Sequence, residues 1–254
     1  MENDFRSNHA RTDSEIRVAD ELFEQFNQSG TPGFARLQAF PAFVRRQDIS
    51  RFLVRHELFL KQLKVAGVIV ECGVYAGGSA FSWAHFSSIY EPWNHTRQVF
   101  GFDTFSGFPD VSPKDFESPD SYDSVSVESG LFVSDSILSE LNQLASLHDQ
   151  NRPIGHIPKV NFIGGDVSDT LPRFVEEKPY LPISLLYLDM DLYEPTKVAL
   201  EILAPRVVSG GLIVFDELVH AGFPGESLAA LEYLGFGAFE RSPLDPHISW
   251  IIKK

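Results

Sequence analysis

The stretch Val68-Ile-Val-Glu-Cys-Gly-Val-Tyr-Ala-Gly-Gly-Ser-Ala-Phe-Ser82 constrains the fold more than any other part of the chain. It opens on a short β-branched apolar run, Val68 to Val70, the composition of a strand buried on both faces of a parallel sheet. Glu71 ends the run, Gly73, Gly77 and Gly78 follow, and from Ser79 the sequence can begin a helix. A strand, a glycine turn and a helix N-terminus in succession make a nucleotide site, because glycine lets the backbone pass close to a ligand. Glu71, at the carboxyl end of the strand, is placed to hold a cationic or hydroxylated group. The spacing, Glu-x-Gly-x-x-x-Gly-Gly-Ser, departs from the dinucleotide fingerprint Gly-x-Gly-x-x-Gly. Tyr75 stands where the second glycine would be, which argues against a pyrophosphate ligand and a nicotinamide cofactor.

The flanking sequence alternates helix and strand signals, as a parallel sheet requires. Residues 1–12 are polar and read as loose. Apolar residues at helical spacing predict helices over residues 13–28 and 47–63. These precede the glycine strand and suit a cap, a subunit interface or a substrate cover. A second strand, Gln98 to Phe102, ends at Asp103, where nucleotide-binding folds hold ribose hydroxyls; the plainer reading is a turn aspartate. Residues 104–158 are long and irregular, with one helix near 135–148, and read as a lid. Its aromatics Phe105, Phe108, Phe116 and Tyr122 contact a ligand or anchor the lid. A third strand, Val160 to Ile163, leads into Gly164-Gly-Asp166, where Asp166 either reads an adenine edge or caps the next helix.

The fourth strand, Ile183 to Leu188, ends in Asp189-Met-Asp191-Leu-Tyr-Glu-Pro-Thr196, and a helix from about Pro195 to Leu203 follows. The fifth, Leu212 to Phe215, ends in Asp216-Glu217. Acid pairs thus close two strands joined by one helix, so the pairs can be neighbours on one edge. Clustered carboxylates repel unless protonated or neutralised, and oxygen ligands suit Mg²⁺ or another hard cation. A short helix over residues 226–234 and a terminal hairpin complete the chain. At 254 residues it has the size of one large α/β domain, predicted as 1–254 with a helical cap over 1–66, a core over 67–254 and a lid near 104–158.

Taken in order, Glu71-x-Gly73-x-Tyr75-x-Gly77-Gly-Ser79, Gly101-Phe-Asp103-Thr-Phe-x-Gly107-Phe-Pro109, Gly165-Asp166, Leu188-Asp-x-Asp-Leu-Tyr-Glu-Pro-Thr196 and Gly210-Gly-x-x-x-x-Asp216-Glu217 form a set. The first element resembles motif I of class I S-adenosylmethionine-dependent methyltransferases. The whole set, over about residues 40–235, resembles the macrocin O-methyltransferase family, which methylates sugar hydroxyls of antibiotics. The resemblance implies a Rossmann-like, mostly parallel seven-stranded sheet with helices on both faces. It implies that Glu71, Gly73, Tyr75, Gly77 and Ser79 line the methionine part of S-adenosylmethionine, that Asp103 holds the ribose, and that Gly165 and Asp166 lie by the adenine. It implies Asp189, Asp216 and Glu217 as ligands of Mg²⁺ or another divalent cation, with Asp189 or Asp191 as base. Position 217 is Glu where better-known members have Asp, and the extra methylene moves the carboxylate.

The expected reaction is methyl transfer to a hydroxyl of a deoxysugar, on a nucleotide or a glycosylated natural product. A phenolic or catechol acceptor, or a non-catalytic nucleotide-binding protein of the same fold, are the alternatives. The net charge of −14 opposes nucleic acid and anionic membranes as partners. The lone cysteine, Cys72, forms no intramolecular disulfide. The N-terminal residues lack the basic and apolar regions of a signal peptide, and no apolar run reaches membrane-span length, so a cytoplasmic location is expected. The apolar faces of the N-terminal helices predict a homo-oligomer.

Overall fold

Strand β1 (Val68–Cys72) is buried at every position, as its β-branched composition predicts. It pairs in parallel with β2 (Val99–Asp103) on one side and β4 (Ile183–Leu188) on the other. The computed structural model describes residues 12–121, 133–237 and 239–254. Within these, one sheet of seven strands runs in the order β3-β2-β1-β4-β5-β7-β6, where β3 is Val160–Gly164, β5 is Val207–Phe215, β6 is Glu240–Arg241 and β7 is Ser249–Ile252. The first five are parallel, and β7 returns antiparallel between β5 and β6. This is the mostly parallel Rossmann-like sheet expected from the sequence.

The chain divides into two compact units, Met1–Leu53 and Val54–Lys254. In the first, α1 (Asp13–Gln28) begins at a capping box in which Thr12 and Glu15 satisfy each other's backbone amides. A short helix, α2 (Gly33–Gln38), lies in a stretch that carries no helical periodicity. Helix α3 (Arg46–Gln62) starts in this unit and runs into the second.

In the second unit the sheet is covered on both faces. Val68, Val70 and Cys72 of β1 face one core with Leu186, Leu188, Ile213 and Phe215, under α6 (Val167–Glu177), α7 (Tyr193–Leu203) and α8 (Pro224–Leu234). Ile69 faces the other with Leu185, Tyr187, Leu212 and Val214, under residues 54–62 of α3 and under α4 (Gly78–Tyr90). Helix α5 (Ile137–Gln150) packs its Ala145 against this second core and answers to the helix expected near 135–148. At the amino edge of the sheet the buried Arg97 guanidinium donates to Gln62, Gly67, Ser184, Leu63 and Val65, tying the end of α3 to the start of β4.

Several boundaries differ from the sequence reading: α5 lies two residues later than expected and α8 starts two residues earlier, at Pro224. Strand β5 starts at Val207 instead of Leu212, because Ser209-Gly-Gly211 is an irregularity inside the strand: pairing jumps from Ile183↔Val207 to Leu185↔Leu212. Helix α7 begins at Tyr193, two residues before Pro195. The segment read as loose, 1–12, lies outside the described residues apart from Thr12, as does Tyr122 of the lid.

Candidate functional site

In an open parallel sheet the ligand crevice lies at the carboxyl edge where the strand order reverses. Here β1 is followed in sequence by β2 on one side and flanked by β4 on the other, which puts the reversal between β1 and β4. The sequence-predicted residues gather along that edge, and the backbone fixes them in a row. Gly165 N donates to Asp103 O at 2.9 Å, Gly73 N to Phe102 O at 2.8 Å, Asp189 N to Cys72 O at 2.8 Å, and Asp216 N to Leu188 O at 3.0 Å. Each of Gly73, Asp189 and Asp216 therefore sits immediately past its strand, bonded to the end of the neighbouring one.

The same edge collects strained backbone. Tyr75, Phe105, Asp191 and Val219 hold φ values of 52°, 54°, 63° and 60°, and they follow β1, β2, β4 and β5 respectively. Left-handed conformations of non-glycine residues cost free energy and persist where neighbours over-determine them, which is a mark of functional edges. Asp103 shows how this one is held. Its Oδ2 accepts from the Val74 and Tyr75 amides at 2.7 and 2.8 Å, and its Oδ1 accepts from the Phe105 amide at 2.7 Å. A carboxylate accepting several amides is a strong local organiser, so Asp103 shapes the glycine turn as well as facing the crevice.

Glu71 is fully buried on the α4 side of the sheet. The Ser79 hydroxyl donates to its Oε1 at 2.6 Å and the Trp83 indole to its Oε2 at 2.7 Å. Burial pushes its carboxyl up to about 8, only partly offset by those two bonds and the Arg55 charge. Each oxygen thus already serves the protein, which ties the strand end to the first turns of α4. A consequence follows for stability. In the folded chain the carboxyl keeps its proton up to about pH 8, whereas the unfolded chain releases it near 4.5. Stability contributed by this group is complete below pH 4.5, declines as pH rises, and is gone above about 8. The decline is at most ~1.4 kcal/mol per pH unit for one proton. Glu71→Gln is expected to flatten the fall of the urea midpoint between pH 5 and 8.5 relative to wild type. Parallel pH curves for the two proteins would contradict this.

Asp189, Asp191 and Glu217 meet at Glu226, a residue with no role in the sequence reading. Its Oε1 accepts from the Glu217 amide at 2.9 Å. Burial first, then the charges of Asp191, Glu217 and Asp189, hold its carboxyl well above the usual range. Asp189 is half-buried, whereas Asp191, Glu217 and Glu226 are buried. Asp216 is fully buried and takes the Tyr187 hydroxyl on the α4 face. Among the described residues no group of three or more His, Cys, Asp or Glu side chains is disposed to hold a metal ion. Asp166 caps α6, its Oδ1 accepting from the Ser168 amide at 2.7 Å, the plainer of its two expected roles. Among the described residues no helix is long and apolar enough to cross a membrane.

With this geometry in hand, known proteins give it a lineage. The family model for macrocin-O-methyltransferase (TylF) matches residues 53–225. A crystal structure of CalS11, a calicheamicin methyltransferase, aligns at TM-score 0.89 and 32% identity over 99% of this chain and 97% of its own. An apo structure described as CalS11, TDP-rhamnose 3′-O-methyltransferase, aligns at 0.82 and 28% over 98% and 99%. The 8-demethyl-8-(2,3-dimethoxy-alpha-L-rhamnosyl)-tetracenomycin-C 4′-O-methyltransferase of Streptomyces olivaceus is 30% identical over 155 residues, 60% of this chain and 53% of that protein. The chain spans about half the length of the curated relatives it matches. The match to the family model over most of the second unit carries the assignment: the chain belongs to the macrocin-O-methyltransferase family.

Proposed function

We propose that this chain transfers a methyl group from S-adenosylmethionine to a hydroxyl of a deoxysugar carried by a nucleotide or a natural product. The likeness over nearly the whole chain to a TDP-rhamnose 3′-O-methyltransferase is the observation that supports this most. The turn from Gly73 to Gly78, held by Asp103 through the Val74 and Tyr75 amides and open beside Gly78, is the proposed cofactor floor. The cofactor, when bound, supplies an electrophilic methyl carbon. The chain's own part is to hold the acceptor oxygen in line behind that carbon and to take its proton. Asp189, the least buried of the acids and the nearest to the glycine turn through Gly73, is the proposed base. Asp191, buried in the left-handed turn two residues on, is the alternative base.

A divalent cation at Asp189, Asp216 and Glu217 belongs to the proposal as a variable of the assay; the acids as placed offer no three-ligand site, and no step runs through it. The test is calorimetric titration with S-adenosylhomocysteine, then turnover of TDP-rhamnose with Mg²⁺ and with EDTA. Wild type is expected to bind and transfer, and Asp189→Asn to lower kcat by roughly 10²–10⁴-fold. No binding under any condition would refute the reading. A homo-oligomer is part of the same proposal, supported by the exposed Phe23, Phe34 and Leu37 of the first unit. Light scattering of the assayed sample showing a stable monomer would remove it.

A further inference from the structure

Asp115 is almost fully buried, although it lies in the stretch after β2 that reads as irregular lid. Its Oδ2 accepts from the Ser112 amide at 2.7 Å, closing a capping box around a short 3₁₀ turn, Pro113–Phe116. Its Oδ1 accepts from the Tyr193 amide, also at 2.7 Å. Tyr193 opens α7, and the preceding residue, Leu192, makes no side-chain cap. Asp115 therefore caps, from elsewhere in the chain, the helix that follows the acid turn. Oδ1 also lies against α8: a Cβ on Gly225 would stand 2.0 Å from it and 2.6 Å from the Tyr193 nitrogen. Only glycine lets these three segments meet. Around this point Lys114 pairs with Glu232 of α8 and lies 4.0 Å over the Tyr193 ring, and Phe108 packs edge-on against Phe223.

Topology dictates what lies beneath. The stretch leaves the sheet at β2 and is tied down at the N-termini of α7 and α8, the helices that follow β4 and β5. β1 stands between β2 and β4, so the strap passes across the carboxyl ends of β1 and β4. Those ends carry the glycine turn and Asp189. The turn between β4 and α7 contains Asp191 at φ 63°, a conformation that needs both its ends fixed.

We propose that residues 104–116 wall the acceptor side of the crevice and that Asp115 is a positioning residue, tying this strap to the acid-bearing turn so that acceptor binding depends on it and cofactor binding does not. The identity of the acceptor rests on the function proposed above; the tie itself does not. Asp115→Asn in the full chain replaces one acceptor oxygen by a donor, which faces either the Ser112 or the Tyr193 amide, donor against donor. Hydrogen exchange is expected to quicken in segments 104–121 and 189–193 together. Faster exchange in 104–121 alone overturns the tie. In kinetics the KM for TDP-rhamnose is expected to rise about ten- to a hundred-fold, the cost of a broken buried hydrogen bond, with S-adenosylhomocysteine affinity held within about twofold. An unchanged KM, or a parallel loss of S-adenosylhomocysteine affinity, overturns the acceptor role. Should Asp115→Asn fail to fold, Lys114→Met weakens the strap from its exposed side and is expected to move the same readouts in the same direction, by less. A wild type that binds S-adenosylhomocysteine but methylates no sugar nucleotide refutes the assigned acceptor, while the exchange experiment still decides the tie.

Discussion

Gly73→Ala is expected to lower the unfolding free energy by about 2–5 kcal/mol, the sum of a left-handed backbone cost and an overpacking cost. Gly73 holds φ +91°, and a Cβ built on it would stand 1.8 Å from the Asp189 carbonyl oxygen and 2.5 Å from its carbon. Neither atom is the flexible end of a side chain. Both belong to the backbone of the turn that carries the acids, and that turn is bonded back through the Asp189 amide to Cys72. Relief requires β1 and β4 to part at the crevice. A loss of this size is a large fraction of the stability of an ordinary domain, so urea denaturation reads it directly. Gly78→Ala is the control, because nothing stands within 4 Å of its added Cβ. Equal urea midpoints for Gly73→Ala and wild type would show that the β1 and β4 ends yield more easily than their packing indicates. The physical point is that one glycine serves both sides of the edge: the glycine turn after β1 and the acid turn after β4 meet at Gly73.

Much of this edge was legible in the sequence because its signals are local. Val68 to Val70, the glycines after them, and the acids after Leu188 and Phe215 each announce a strand end, and strand ends of a parallel sheet converge by topology. Period two carries further: it puts Asp216 on the face of Leu212 and Val214, where it meets Tyr187. What stayed illegible depends on partners distant in sequence. Glu71 reads as a ligand group, yet its oxygens are met by Ser79 and by Trp83, a helix residue with no motif of its own. Glu226 reads as an ordinary helix residue until burial places it among the acids of two strands. Asp115 had one local signal, the Ser112-Pro-Lys-Asp115 capping box, which predicts a short turn and says nothing of Tyr193 or Gly225.

Asp103→Ala is expected to weaken S-adenosylhomocysteine binding at least about a hundred-fold, equivalent to roughly 2.7 kcal/mol. Three amides, those of Val74, Tyr75 and Phe105, lose a charged acceptor at once, and two of them belong to residues in left-handed conformations. Hydrogen bonds to a charged group contribute about 1.5–3 kcal/mol each, so the turn has ample reason to relax once the carboxylate is gone. Titration calorimetry measures the loss, and affinity within tenfold of wild type would contradict it. The same residue was expected to hold the ribose, and the two roles separate in a double cycle. S-adenosylhomocysteine and its 2′-deoxy analogue are titrated into wild type and Asp103→Asn. A carboxylate that only organises the turn gives the same preference for the hydroxylated ligand in both proteins. One that also accepts from the ribose gives a preference that shrinks in the variant. Since Oδ2 already takes two amides and Oδ1 one, Oδ1 has the freer lone pair, and the coupling is expected to be present but smaller than the effect of losing the turn.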